Sequence, residues 1–147
     1  GVAAEYAEVD GSPMRRKLPW TDDRHDWFYS DSYRTAANIG LDYAWFGKDE
    51  GQCRAARAIQ EFLLEDCRKD TYRVYEIDGS VAEDRALHPV AIPATVAMST
   101  LAASTDCSRE WVEYFWNMPM RTGERRYYDN CLYFFAFLAL SGNYRIW

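Results

Sequence analysis

The sequence predicts a mainly α protein of five helices with one small β-hairpin. Two observations carry this. Apolar residues recur at i, i+3, i+4 and i+7 over several segments, and strict alternation is confined to one short stretch that ends in Asp78-Gly79. There is no βαβ alternation and no internal repeat. Residues 1–29 show no helical period: Tyr6, Pro13, Pro19 and Trp20 are spaced by Gly, Ser and Asp. They predict a long loop rich in aromatic residues (Trp20, Trp27, Phe28, Tyr29), and long ordered loops are often functional. The first helix runs from Asp31 to Phe46, with Ser30 as N-cap and Gly47 as the C′ stop. The second spans roughly Glu50 to Cys67 and faces Ala55, Ala56, Ile59, Phe62 and Leu63 inward. Residues 71–83 form the hairpin, turned by Asp78-Gly79. A loop, Leu87-His88-Pro89, leads to a third helix that opens at Pro93. Its inward face is Ala94, Ala97, Met98, Leu101 and Ala102. The fourth helix follows Asp106 or Ser108, with Val112, Phe115 and Trp116 inward. Pro119 to Arg126 is a polar loop, and a fifth helix spans about Tyr127 to Leu140, stopped by Ser141-Gly142-Asn143. Short connections favour antiparallel helix hairpins.

The 147 residues make room for one domain, which at this size buries about 70% of its unfolded surface and needs no disulfide staple. With 48% hydrophobic and 27% charged residues, the composition excludes an intrinsically disordered chain. Apolar runs such as Leu132 to Leu140 fall short of the ~18–20 residues of a membrane span. The 17 basic residues are scattered among 23 acidic ones, giving a net charge of −6, so neither nucleic acid nor an anionic membrane is an expected partner. Aromatic residues reach 16%. Their flat rings suit sugar faces, which present C–H groups to a ring and hydroxyls to its rim, and equally suit a ring-built core. The four cysteines form no C-x-x-C pair, and Cys53 and Cys67, on one helix, would stand ~20 Å apart. They read as free, mostly buried thiols, leaning towards a reducing, cytoplasmic setting. No metal motif, P-loop, G-x-S-x-G or G-x-G-x-x-G is present, and no cofactor is expected. The chain begins at Gly1 without Met, shows no targeting segment and ends on Trp147, as a piece of a longer chain would.

Two constellations could carry chemistry. At 100° per residue Asp31, Arg34, Asn38 and Asp42 fall within about 80° of one another on the first helix. The helix N-terminus and Arg34 at i+3 both favour an Asp31 anion, the state a general base needs. Spacing alone fits an exposed surface Asp–Arg pair as well. At the last helix, Arg125-Arg126-Tyr127-Tyr128-Asp129-Asn130 could grip a polyhydroxylated ligand, or form a helix start with Asp129 in its first turn and the tyrosines in a helix interface. The two histidines, His25 in an acidic run and His88 on a proline-stiffened loop, make only a weak metal case.

Phe28-Tyr29-Ser30-Asp31-Ser32-Tyr33-Arg34, continuing through Ala36-Ala37-Asn38-Ile39-Gly40-Leu41-Asp42, resembles the catalytic-base segment of glycoside hydrolase family 8. Met120-Arg121-Thr122-Gly123, Arg126-Tyr127-Tyr128-Asp129-Asn130-Cys131-Leu132-Tyr133 and Leu138-Ala139-Leu140-Ser141-Gly142-Asn143-Tyr144 resemble the family's last helix region. Leu87-His88-Pro89 looks like the loop of its reducing-end xylose-releasing exo-oligoxylanases. The resemblance implies the C-terminal portion of an (α/α)6 barrel, with residues 1–147 as part of one catalytic domain. It implies an inverting hydrolase of β-1,4-xylo-oligosaccharides that releases xylose from the reducing end. Asp31 then matches the general base and Arg34 the arginine that steadies it. Leu87, His88 and Pro89 match a wall closing the plus side of the cleft, with His88 on the reducing-end xylose, and Tyr127 and Tyr128 line the cleft. The family's general acid is a Glu in a T-E-G-x-S-Y-G-like motif that nothing here matches. The resemblance therefore implies that the acid belongs to a missing N-terminal half, and that these 147 residues alone are inactive. Endo-acting xylanases, glucanases or chitosanases of the same family are an alternative, as is a non-catalytic sugar-binding helical module.

Overall fold

The computed structural model describes residues 2–21, 23–47, 49–67 and 72–146. After an irregular N-terminal segment come a 3-10 turn (Ser30–Tyr33), α1 (Arg34–Phe46), α2 (Glu50–Cys67), β1 (Val74–Tyr75), β2 (Val81–Glu83), α3 (Ala91–Ser99), α4 (Asp106–Asn117) and α5 (Arg126–Leu140). β1 and β2 form one antiparallel pair, with Val74 opposite Glu83 and Tyr75 opposite Val81. Gly79 supplies the positive φ of +90° in their connection. The predicted first residue of the hairpin, 71, lies outside the described residues. Among these residues no helix is long and apolar enough to cross a membrane.

α3 is the centre of the molecule. All nine of its residues are buried, and α1, α2, α4 and α5 pack around it. A helix apolar on every side has no amphipathic stripe from which to read an inward face. The sequence-based start at Pro93 is therefore corrected: α3 begins two residues earlier, at Ala91, and Pro93 falls inside its first turn. There a missing N–H costs nothing. Where α1 crosses α3, a Cβ on Gly40 would lie 2.0 Å from the carbonyl oxygen of Met98, so only glycine allows this approach.

A further correction concerns a helix start. Ser30 is not an N-cap: it lies inside the 3-10 turn with φ +38°, after an extended Tyr29 that gives no side-chain cap. Gly47 follows α1 with φ −17°, outside the left-handed region, and is required because a Cβ there would meet the carbonyl oxygen of Tyr43. α4 is capped by Thr105, whose hydroxyl accepts the Ser108 amide while Ser108 returns a bond to the Thr105 amide. Trp111 and Phe115 fill its inner face; Trp116, expected inward, is exposed and stacks on Phe137 at 4.9 Å. Cys53, Cys107 and Cys131 carry no disulfide and are only partly buried, and the Cys67 side chain lies outside the described residues.

Buried Gln60 of α2 joins three helices. Its amide donates to Ser99 Oγ of α3 at 3.0 Å and accepts from Ser108 Oγ of α4 at 2.7 Å. Its backbone carbonyl accepts the Trp111 indole N–H at 3.0 Å. Such a fully satisfied network specifies how the helices meet.

Candidate active site

The irregular N-terminal segment is tied down rather than loose. Phe28, 1% exposed, pairs with Tyr75 of β1 through backbone bonds of 2.8 and 3.5 Å. Arg24 forms a two-pronged bond to Glu76 at 2.8 and 2.7 Å, binds Asp26 and covers the Trp27 ring at 4.7 Å. The hairpin therefore holds the chain that delivers Ser30 and Asp31 to the start of α1.

At that turn Asp31 and Arg34 form the expected pair, Arg34 Nη2 to Asp31 Oδ2 at 2.8 Å, with both side chains partly open to solvent. The rest of the stripe does not join them. Asn38 and Asp42 are exposed further along α1, and Asp42 accepts a bond from Gln52 of α2. Ser30, just before Asp31, is one of two non-glycine residues with positive φ among those described. Such strain costs roughly 1–3 kcal/mol and persists where the surroundings impose it. Here Tyr128 of α5 donates its hydroxyl to the Ser30 carbonyl at 3.0 Å. Burial first, then the nearby Asp31 charge, hold that hydroxyl well above the usual tyrosine range, so it stays protonated as a donor.

Beneath the turn lies a pair absent from the sequence-based expectations. Glu5 Oε1 accepts the Asp31 amide at 3.4 Å, and Glu5 Oε2 lies 2.8 Å from His25 Nδ1. Both side chains are about nine-tenths buried. His25 stacks on Tyr6 with ring centres 4.3 Å apart. No periodic pattern in the acidic run around His25 links it to a partner 20 positions away.

The Leu87-His88-Pro89 loop meets α5 at its first turn. His88 is buried, its ring 4.3 Å from that of Tyr128, and its Nδ1 lies 3.1 Å from Asp129 Oδ2. Asp129 is fully buried. Its Oδ1 accepts the amides of Val90 at 2.9 Å and Ala91 at 2.7 Å, so a side chain of α5 caps α3. Arg121 closes the other side, bonding Asp129 Oδ2 and donating to the Leu87 carbonyl at 2.7 Å. Burial works against the Asp129 charge, but the bonds from His88, Arg121 and the Ala91 amide outweigh it and hold the carboxyl below the usual aspartate range. Asn130 fixes Arg121 in turn, exchanging two bonds of 2.9 Å with its backbone.

The quartet Arg125-Arg126-Tyr127-Tyr128 thus splits. Tyr128 joins the Asp31 turn to the His88 loop. Tyr127 is 83% exposed and lines a separate depression of about 500 Å³ with Arg125, Arg126, Asn130, Cys131 and Phe134. Asp129, expected as a first-turn acid on the helix, is the carboxylate on which the loop is built. A carboxylate, an arginine, a tyrosine and a histidine are gathered by one turn of α5, an arrangement able to orient a hydroxyl-bearing ligand beside a base.

No family model matches the chain. Over its full length it is 50% identical to the reducing-end xylose-releasing exo-oligoxylanase Rex8A of Paenibacillus barcinonensis, of which it spans 38%. It is also 50% identical to a reducing end xylose-releasing exo-oligoxylanase of Halalkalibacterium halodurans, of which it spans 36%. A crystal structure of an enzyme of that description superposes with a TM-score of 0.90 at 51% identity, over 99% of this chain and 37% of that one. Rex8A complexed with xylose gives 0.90 at 49% identity over the same shares. The chain therefore spans little more than a third of the length of these relatives.

Proposed function

We propose that the chain is the C-terminal part of a glycoside hydrolase family 8 catalytic domain that releases xylose from the reducing end of β-1,4-xylo-oligosaccharides. Asp31 is the general base: its carboxylate takes a proton from the water that attacks the anomeric carbon on the face opposite the leaving group. Arg34 holds that carboxylate in place and meets sugar hydroxyls. Leu87, His88 and Pro89 form the wall that stops the chain after one sugar. Tyr128 lines the cleft between base and wall, and Tyr127 meets sugar further along or packs under the missing segment.

The observation that carries this reading is the bridge from Asp31 to His88. Tyr128 bonds the Ser30 carbonyl and packs on the His88 ring, so the base and the wall share one support. The names and full-length identity of the relatives support the substrate. An inverting site needs a second, protonated carboxyl about 6.5–9.5 Å from the base. We assign it to the N-terminal remainder of the domain, which also completes an (α/α)6 barrel. That remainder covers the exposed rings of Trp116, Phe134, Phe135 and Phe137.

The test incubates xylotriose and xylotetraose with the 147-residue chain, and with the chain joined to that remainder. The joined protein should release xylose, and Asp31→Asn should abolish it. Xylose release by the 147-residue chain alone would refute the assignment of the acid. Replacing Leu87, His88 and Pro89 with small residues should move the joined protein's products towards internal cleavage. Unchanged products would refute the wall and leave the endo-acting reading.

A further inference from the structure

We infer that Asp129 is a positioning residue that fixes the tautomer of His88, so that this histidine meets its ligand as a hydrogen-bond acceptor at Nε2. This rests on the proposed role of the Leu87–Pro89 loop as the wall facing the departing sugar. The Asp129 carboxylate is surrounded by groups that only donate: the Val90 and Ala91 amides at 2.9 and 2.7 Å, and the Arg121 guanidinium. Its fourth neighbour is His88 Nδ1, at 3.1 Å from Oδ2. A carboxyl proton could point only at His88 Nδ1, which is the stronger base and takes it, so Asp129 is held as the anion. An anion accepts only, hence Nδ1 carries the hydrogen. In the neutral ring Nε2 is then bare.

The second nitrogen is free to be used. Among the described residues no group bonds His88 Nε2, and the side chain keeps 9% of its surface exposed. His25 makes the contrast. Its Nδ1 also faces a carboxylate, yet its Nε2 is buried without a partner. One imidazole is sealed within the fold; the other keeps a lone pair open. Tyr128 lies against the His88 ring and Asp129 holds one edge, so the lone pair has a fixed direction. The ligand group that fits it is a hydroxyl acting as donor, such as one on a reducing-end pyranose. A neutral Nε2–H ring would select an acceptor instead.

The sequence has two histidines, so long-range ¹H–¹⁵N spectra of the 147-residue chain resolve two rings, assigned with His25→Gln. Under conditions where the spectra show the ring neutral, His88 should have a protonated Nδ1 and a bare Nε2. In Asp129→Asn the amide oxygen must stay towards Val90 and Ala91. Its NH2 then faces Nδ1 and turns away the Arg121 guanidinium, and the tautomer should invert to Nε2–H. A native ring already protonated at Nε2, or an unchanged tautomer in a folded Asp129→Asn chain, overturns the inference. If that variant does not fold, the native spectrum alone decides. In the joined protein the same substitution should raise KM for xylotriose about tenfold, the weight of one hydrogen bond, with a smaller change in kcat. A loss carried by kcat with KM unchanged would overturn the positioning role. Absence of xylose release by the joined native protein would overturn the functional reading while leaving the tautomer result to stand by itself.

Discussion

Replacing Gly40 with alanine tests whether the close crossing of α1 and α3 holds the molecule together. The added Cβ would stand 2.0 Å from the Met98 carbonyl oxygen, 2.7 Å from its carbon and 3.0 Å from Ser99 Cα. All three are backbone atoms of a helix buried on every side, so no side chain can rotate away. Restoring an ordinary C···O contact of about 3.3 Å requires the helices to part by about 1.3 Å. Overpacking of this kind costs about 3 kcal/mol or slightly more, and alanine returns about 1 kcal/mol of helix propensity, leaving a loss of about 2 kcal/mol. In urea, with a slope of about 2 kcal/mol/M, the unfolding midpoint of the chain should fall by about 1 M with the slope unchanged. Gly51→Ala in α2 is the control. There the nearest atom is the Asp49 carboxylate oxygen that accepts the Gly51 amide; at 3.0 Å from the added Cβ it need give by only a few tenths of an ångström. It should be neutral or stabilising by up to about 1 kcal/mol. A Gly40→Ala chain as stable as the native one would refute the account of the crossing.

Gln60→Met keeps the volume but removes the bonds to Ser99 and Ser108, so thermal unfolding should show a loss of about 2 kcal/mol. Asp129 has a lowered pKa in the folded state, so its contribution is present above the ordinary aspartate range and is lost as pH falls through the folded value. Chemical unfolding at pH 7 and at about pH 3 should show a smaller difference for Asp129→Asn than for the native chain. Tyr128 is held protonated by burial and then by Asp31, so Tyr128→Phe should leave the tyrosinate absorbance that develops through about pH 10 unchanged in amplitude.

Legibility in the sequence followed the strength of each local signal. α2 was found to the residue at both ends, Glu50 and Cys67, because one of its faces is apolar and the other is wet. α3 was misplaced because burial on all sides erases that contrast. The Asp31–Arg34 pair was readable, since three positions along a helical turn bring side chains together wherever the turn sits. Ser30 was misread as a cap because its conformation is imposed from α5, 98 positions away. Asp129 shows the same limit. A first-turn acid usually serves its own helix, and nothing local says that this one serves α3 and the His88 loop. Trp116 was expected inward because the spacing of rings on α4 does not distinguish the face towards α3 from the face that stacks on Phe137.

The first turn of α5 has a consequence for product size. Tyr128 reaches back to the carbonyl before Asp31, the proposed base, and its next neighbour in sequence anchors the loop proposed to end the cleft. Two consecutive side chains of a rigid helix then act as the jaws of a caliper. Sliding α5 would carry both jaws together, so the spacing of the proposed base and end stop follows one helix rather than two independent loops. In the proposed enzyme that gap admits one sugar ring, and a change in the length of the released piece would require lengthening the loop beyond His88, not moving the helix.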